Sequence, residues 1–298
     1  MQLRDIVCHP YLKREEELLG VIYKLRMAAA EQVADVMGIS KKYVQMLKSD
    51  LNKEGEMILT HYQRRRGARR LPFSKEYTLG PRMYALGPAA KSTIEAIVGH
   101  PIYFKKHTGK QQVHYYGLND VLVRTLKQVI EDESRDDELE ARVTAWERLQ
   151  WLNTQETAIV IEQAWAPLLE KDTAKEQKET RKDLIHPDAR LLIDGRPFWI
   201  EYDDGSERLR SPEEEPDYSL TTIEDKMGRY LFSLTPIQNK DPVVWVTPSP
   251  IRRDNMRDLW EEICCSQPHE DVPNMYFFTP GEEQSILLDS QSELSVTY

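Results

Sequence analysis

Two hydrophobic rhythms alternate along the chain. Residues 14–26 place apolar side chains between charged ones at helical spacing, and 29–38 and 41–55 repeat that period, so three helices are expected. Gly38 ends the second, Ser40 is suited to cap the third, and Gly55 ends it. Residues 57–63 then read as a strand, 64–74 as a loop and 76–87 as a return strand. The stretch 88–112 is rich in Pro, Gly and Lys and reads as a junction. Beyond it a helix is expected over 118–133 and a strand over 142–151. Residues 154–170 fit either period, and we read them as a helix. The almost wholly charged 170–182 reads as an exposed loop. Strands follow at 189–194 and 197–203 around a turn at Gly195, then a helix at 223–234, a buried strand at 242–248, a helix at 254–266 and a last strand at 275–280.

This order predicts an α/β (α+β) protein in two parts. Residues 1–100 would form a winged helix-turn-helix domain, 113–280 a second domain with the order αβββαβ, and 281–298 a polar tail. The 298 residues suffice for two cores, and no apolar run approaches the roughly 18 residues of a membrane span. Cys8, Cys264 and Cys265 are odd in number and imply no disulfide framework, so a cytoplasmic protein without a membrane association is expected. The net charge of −10 hides a split: residues 1–110 carry 20 Lys and Arg against 11 Asp and Glu, and the remainder carries 20 against 39. Attraction to phosphate therefore belongs to the first part. No phosphate-binding loop or dinucleotide fingerprint is present, which argues against an ATP-driven motor.

Between Ala30 and Leu47 the residues fit a helix-turn-helix. Ala34 falls where two helices cross closely, and Gly38 falls in the turn, where a positive φ favours glycine. The recognition helix would present Lys41, Lys42, Gln45 and Lys48, with Ser40 and Tyr43 near its start, to the major groove of double-stranded DNA. Arg64, Arg65, Arg66, Arg69 and Arg70 crowd the following loop, where they repel one another unless an anion is near. The plainer reading is a solvated charge run on a winged helix used for protein contacts.

Asp188 opens one strand and Glu201 lies on the next, with Asp203 two residues on and thus on the same face. Asp188 and Glu201 could hold one Mg²⁺ or Mn²⁺, helped by the Tyr202 carbonyl, because hard cations take oxygen ligands. Such a cation polarises a scissile phosphate, and a nearby lysine would steady the attacking water or the developing charge. The plain alternative is strand-end acids acting as solvated caps, with Lys226 merely paired to Glu201.

The pair Pro187-Asp188 with Glu201 after it resembles the PD-(D/E)XK nuclease superfamily, as does the element order. That resemblance implies a catalytic set of Asp188, Glu201, Asp203 and Lys226. Asp203 stands where the superfamily usually has lysine, and Lys226 on the following helix would take the lysine's place. A longer string of motifs, YALG, HYYGLNDVLV, HPDARLLI, FWIEYDDGSE and PVVWVTPS, resembles the replication-relaxation family of plasmids and other mobile elements. The resemblance implies a role in replication or transfer of a mobile element, with double-stranded DNA and other replication or transfer proteins as partners. Homodimers are common among helix-turn-helix proteins. Two functions remain open: a metal-dependent DNA nicking or cleaving endonuclease, and a non-catalytic DNA-binding regulator or relaxosome accessory built on an inactive nuclease fold.

Overall fold

Two helices form on either side of Gly38 and Ser40, as the periodicity predicts, and caps and side-chain hydrogen bonds fix their ends. The computed structural model describes residues 1–53, 55–62, 82–102, 111–133, 137–211, 221–265 and 272–289. The chain is mixed α+β, and it divides into two compact units, Met1–Trp151 and Leu152–Tyr298.

The first unit begins with α1 (Leu3–Val7) and α2 (Arg14–Leu25), followed by the short strand β1 (Met27–Ala29), which the periodicity does not reveal. Helices α3 (Ala30–Met37) and α4 (Lys41–Leu51) come next. Gly38 ends α3 with φ +66°, the left-handed conformation a turn residue needs. Ser40 caps α4, its hydroxyl accepting the Tyr43 amide proton at 3.2 Å. Val44, Leu47 and Leu51 form the buried stripe of α4, and Ala34 is buried on α3. Strands β2 (Ile58–Tyr62) and β3 (Arg82–Leu86) pair antiparallel, and β1 joins the other side of β3, giving the sheet order β1-β3-β2. Asn52 fixes the entry to β2, because its side chain bonds both the amide and the carbonyl of Ile58.

Gly87 closes the hairpin by donating its N–H to the Met57 carbonyl at 2.8 Å. A Cβ there would stand 1.8 Å from the Glu56 carbonyl oxygen, a backbone atom that has little freedom to move. Gly87→Ala should therefore lower stability by about 2–4 kcal/mol in urea unfolding. An unchanged midpoint would contradict this reading of the turn.

The expected junction is instead structured: a 3-10 turn at Pro88–Ala90 leads into α5 (Lys91–Val98), which buries Ile94, Ile97 and Val98. Helix α6 (Gln112–Asp132) starts six residues before the expected 118. It packs in the first unit, whereas the sequence pattern suggests it opens the second. Two side chains explain the placement. Asn119, fully buried, donates to the carbonyls of Leu25 and Met27, and Gln32 donates to the Tyr116 carbonyl and to Asp120. Helix α7 (Glu138–Arg148) occupies most of the stretch expected as a strand, capped by Asp137 and burying Ala141, Ala145 and Trp146. Strand β4 (Leu149–Asn153) follows.

The second unit carries α8 (Thr154–Leu169), α9 (Ala174–Asp183), β5 (Ala189–Ile193), β6 (Arg196–Tyr202), α10 (Ile223–Leu234), β7 (Val243–Val246), α11 (Pro250–Cys264), β8 (Met275–Phe278) and α12 (Gln284–Leu287). The five-stranded sheet runs β4-β5-β6-β7-β8, with β5 and β6 antiparallel and β6, β7 and β8 parallel. Asp194 and Gly195, both at positive φ, turn β5 into β6. The charged stretch expected as a loop is helix α9, which buries nothing; a Thr173–Glu176 capping box and good helix-forming residues sustain it without a core. The expected polar tail begins packed, since Ile286 and Leu287 are buried and Arg196 donates to the carbonyls of Leu287 and Asp289. Trp165, Trp199, Trp245 and Trp260 share the core of this unit with Met227 and Tyr230, so these tryptophans serve packing. Among the described residues no helix is long and apolar enough to cross a membrane.

Candidate functional site

On the first unit, α4 presents Lys42 and Gln45 to solvent. Lys41 is also exposed, and its ammonium pairs with Glu31 at 2.9 Å. Tyr43 is half-buried, and the Ser40 hydroxyl is committed to its cap. Lys48 lies with its ammonium 5.5 Å from the centre of the Tyr84 ring on β3. Gln45, Lys48, Lys53, Arg82 and Tyr84 line an open groove of about 350 Å³ between α4 and the hairpin. Arg64, Arg65, Arg66, Arg69 and Arg70 lie outside the described residues.

On the second unit the β5–β6 register pairs Ala189 with Ile200, so one rung further Asp188 stands opposite Glu201. Three bonds hold Asp188 in place. Its carboxylate accepts the Tyr202 amide proton at 3.0 Å, and the Thr154 hydroxyl donates to its carbonyl at 2.8 Å. The Thr157 hydroxyl donates to the preceding Pro187 carbonyl at 2.8 Å. Helix α10 supplies the other side of the site. Thr222 and Asp225 cap it reciprocally, and Ile223, Met227, Tyr230 and Leu234 bury one stripe. Lys226 and Tyr230 are four residues apart and so face the same way.

Both reach Glu201, which is only 1% exposed. The Tyr230 hydroxyl donates to Glu201 Oε1 at 2.7 Å, and Lys226 Nζ stands 3.8 Å from Oε2. Burial, and then the Asp188 carboxylate within hydrogen-bonding reach, push the Glu201 carboxyl well above its ordinary range; Lys226 and Tyr230 oppose the shift without cancelling it. Burial works against the charge of Lys226, but Glu201, Asp188 and Glu207 outweigh it and hold its ammonium protonated above its usual range. Glu207, which the sequence analysis does not single out, contributes an oxygen 3.1 Å from Lys226 Nζ.

Asp203 is placed differently. Strand β6 ends at Tyr202, and although the Asp203 amide still donates to the Val246 carbonyl at 3.0 Å, its carboxylate is taken up by partners other than Glu201 and Lys226. Its buried carboxylate accepts two hydrogen bonds from Arg252, one from Nε and one at 2.9 Å from a terminal nitrogen, together with those of the Thr247 hydroxyl and the Gly205 amide. Arg252 follows the Ser249 cap of α11, and no sequence pattern singles it out; nothing local in the chain links positions 49 residues apart. His186, on the other side of Pro187, is exposed.

Two carboxylates that crowd each other fit a hard divalent cation, which binds through one or two carboxylates and keeps several waters. No third His, Cys, Asp or Glu joins them in a cation-sized cluster among the described residues. The residues are those a cation could use, and a cation's charge would offset the repulsion between the two acids.

A model of replication-relaxation proteins matches residues 19–240. The chain belongs to the replication-relaxation family. Neither the curated proteins nor the solved structures gave a match. Replication-relaxation membership ties the chain to the replication or transfer of plasmids and mobile elements. The matched stretch includes α3, α4, Asp188, Glu201, Asp203, Lys226 and Tyr230, whereas Arg252 lies beyond it.

Proposed function

We propose that this replication-relaxation protein binds double-stranded DNA through a winged-helix first unit and cuts or nicks it in a metal-dependent reaction in the second. One observation carries the catalytic half: Asp188 opposes Glu201 across two strands, with Lys226 and Tyr230 of α10 converging on Glu201. Asp188 and Glu201 would hold a Mg²⁺ or Mn²⁺ ion, which when bound polarises a phosphodiester and lowers the pKa of water. Tyr230 fixes the Glu201 carboxylate in one orientation. Lys226 supplies a protonated ammonium at the same place, suited to steady the nucleophile or the charge that develops on phosphate. Asp203, held by Arg252, braces the end of β6 in this reading, so its expected part in supporting metal or water is set aside.

Metal binding should be visible in stability. Mn²⁺ at about 100 times its dissociation constant should stabilise the protein by roughly 2.7 kcal/mol and raise its melting temperature by several degrees. Glu201→Gln should abolish that rise. A wild-type melting temperature indifferent to Mn²⁺ and Mg²⁺ would count against the cation site.

The DNA-binding half rests on exposed Lys42 and Gln45, on Lys48 in the groove beside β3, and on the basic balance of the first 110 residues. Replacing Lys42 and Lys48 together by alanine should weaken binding. It should also flatten the dependence of log affinity on log salt by about one for each phosphate left without its lysine. Binding with an unchanged salt slope would remove α4 from the interface.

The closeness of Lys226 to Glu201 and the engagement of Asp203 by Arg252 also favour a second reading. In that reading the acids form an internal ion network, and the family member is a non-catalytic DNA-binding regulator or transfer accessory.

A further inference from the structure

The segment that follows β6 is fastened at several points, all close to Lys226. Gly205, at φ +78°, turns the chain, its amide donating to Asp203 and the next amide, of Ser206, to Asp204. Arg252, already paired with Asp203, donates to the Glu207 carbonyl at 2.6 Å. The Arg208 and Leu209 carbonyls then accept the amide protons of Ile223 and Glu224, each at 3.0 Å. They take up two of the amides that the first turn of α10 leaves without helical partners. Leu209 also packs against the core of the unit. Fixed on both sides, Glu207 presents its carboxylate to Lys226.

Lys226 is therefore shared unequally between two acids. Its Nζ lies 3.1 Å from Glu207 and 3.8 Å from Glu201, so only Glu207 stands at ordinary hydrogen-bonding distance. A shift of about 1 Å along a flexible side chain would bring the ammonium onto Glu201 instead. Settled there, it would relieve the repulsion between Glu201 and Asp188 that otherwise favours a divalent cation.

We propose that Glu207 is a positioning residue, which holds Lys226 beside the Asp188–Glu201 pair but off it and so keeps the pair open to a divalent cation. This inference rests on the cation reading and adds to it a residue outside the expected site. Glu207 touches neither acid of the pair in this role and acts only through the lysine.

The test is calorimetric titration of the full chain with Mn²⁺ alone, without DNA. Glu207→Gln keeps the size of the side chain and an acceptor but removes the charge that holds the ammonium, and it should weaken Mn²⁺ binding by about tenfold. Loss of a nearby negative charge also weakens attraction for a cation through space, so the deciding comparison is made without the lysine. In a Lys226→Met background, Glu207→Gln should change the affinity by no more than about twofold. If the Lys226→Met proteins do not fold, Lys226→Gln takes their place, because it retains a polar head between the acids. Equal losses in the two backgrounds would mean that Glu207 acts through space or on folding, and would overturn the proposal. Binding of Mn²⁺ by Glu207→Gln as tight as by wild type would overturn it too. A wild-type protein that binds no Mn²⁺ is a distinct failure, which removes the cation site itself along with the role of Glu207.

Discussion

Glu201→Ala will reduce metal-dependent cleavage of supercoiled DNA by at least about a hundredfold, while the affinity for the same DNA stays within about twofold. The split follows from the proposed division of labour. The exposed lysines lie on α4, in the first unit, and Glu201 lies on β6 in the second. Removing its carboxylate takes away one of two acids able to hold a cation, and it leaves the Tyr230 hydroxyl and the Lys226 ammonium without their shared acceptor. Lys226 keeps Glu207 at 3.1 Å, so the local fold has a second anchor. Glu201→Gln serves as the companion variant: it preserves an acceptor for Tyr230 but carries no charge for a cation. Gel-based plasmid assays and fluorescence anisotropy read the two quantities separately. Parallel loss of cleavage and binding would show that Glu201 acts on folding rather than on chemistry.

Arg252→Ala should produce the largest loss of stability, about 3–5 kcal/mol, seen as a melting temperature lower by about 10 °C. Asp203 is 4% exposed and receives two hydrogen bonds from the guanidinium. Without Arg252 it keeps only the Thr247 hydroxyl and the Gly205 amide among the described residues, too little to compensate a buried carboxylate. The same change releases the Glu207 carbonyl, to which Arg252 also donates at 2.6 Å. Removing the charge as well, in Asp203→Asn with Arg252→Ala, should recover much of the loss, because the penalty belongs to the uncompensated charge. Differential scanning calorimetry of both variants checks this. An Arg252→Ala protein that melts with wild type would mean that water already compensates Asp203.

What could be read from the chain is what local chemistry determines. The Gly38 turn and the Ser40 cap are two residues apart, and each is found as expected. The strand–turn–strand around Gly195 is equally local, and it suffices to set Asp188 opposite Glu201. Lys226 and Tyr230 needed one further step, the packing of α10 against the sheet, which a buried stripe on a single helix implies without giving its position. The pattern could not show what depends on distant partners. Asn119 reaches back 92 residues to Met27, which is why α6 packs with the first unit. Arg252 pairs with the buried Asp203 from 49 residues away, a contact that no local pattern gives. The α9 stretch misled for another reason: a helix can persist on propensity and caps alone, so the absence of an apolar stripe did not make it a loop.

The Asp188–Glu201 pair, in the function proposed, serves a cation-dependent reaction on DNA. Incubating the purified protein with supercoiled DNA bearing the replication region of a mobile element, in Mg²⁺, Mn²⁺ or EDTA, tests that claim most directly. Conversion to nicked or linear DNA is expected in either metal and none in EDTA. DNA that is bound but stays supercoiled under all three conditions would contradict it, and would leave the acids as the internal ion network of a DNA-binding protein.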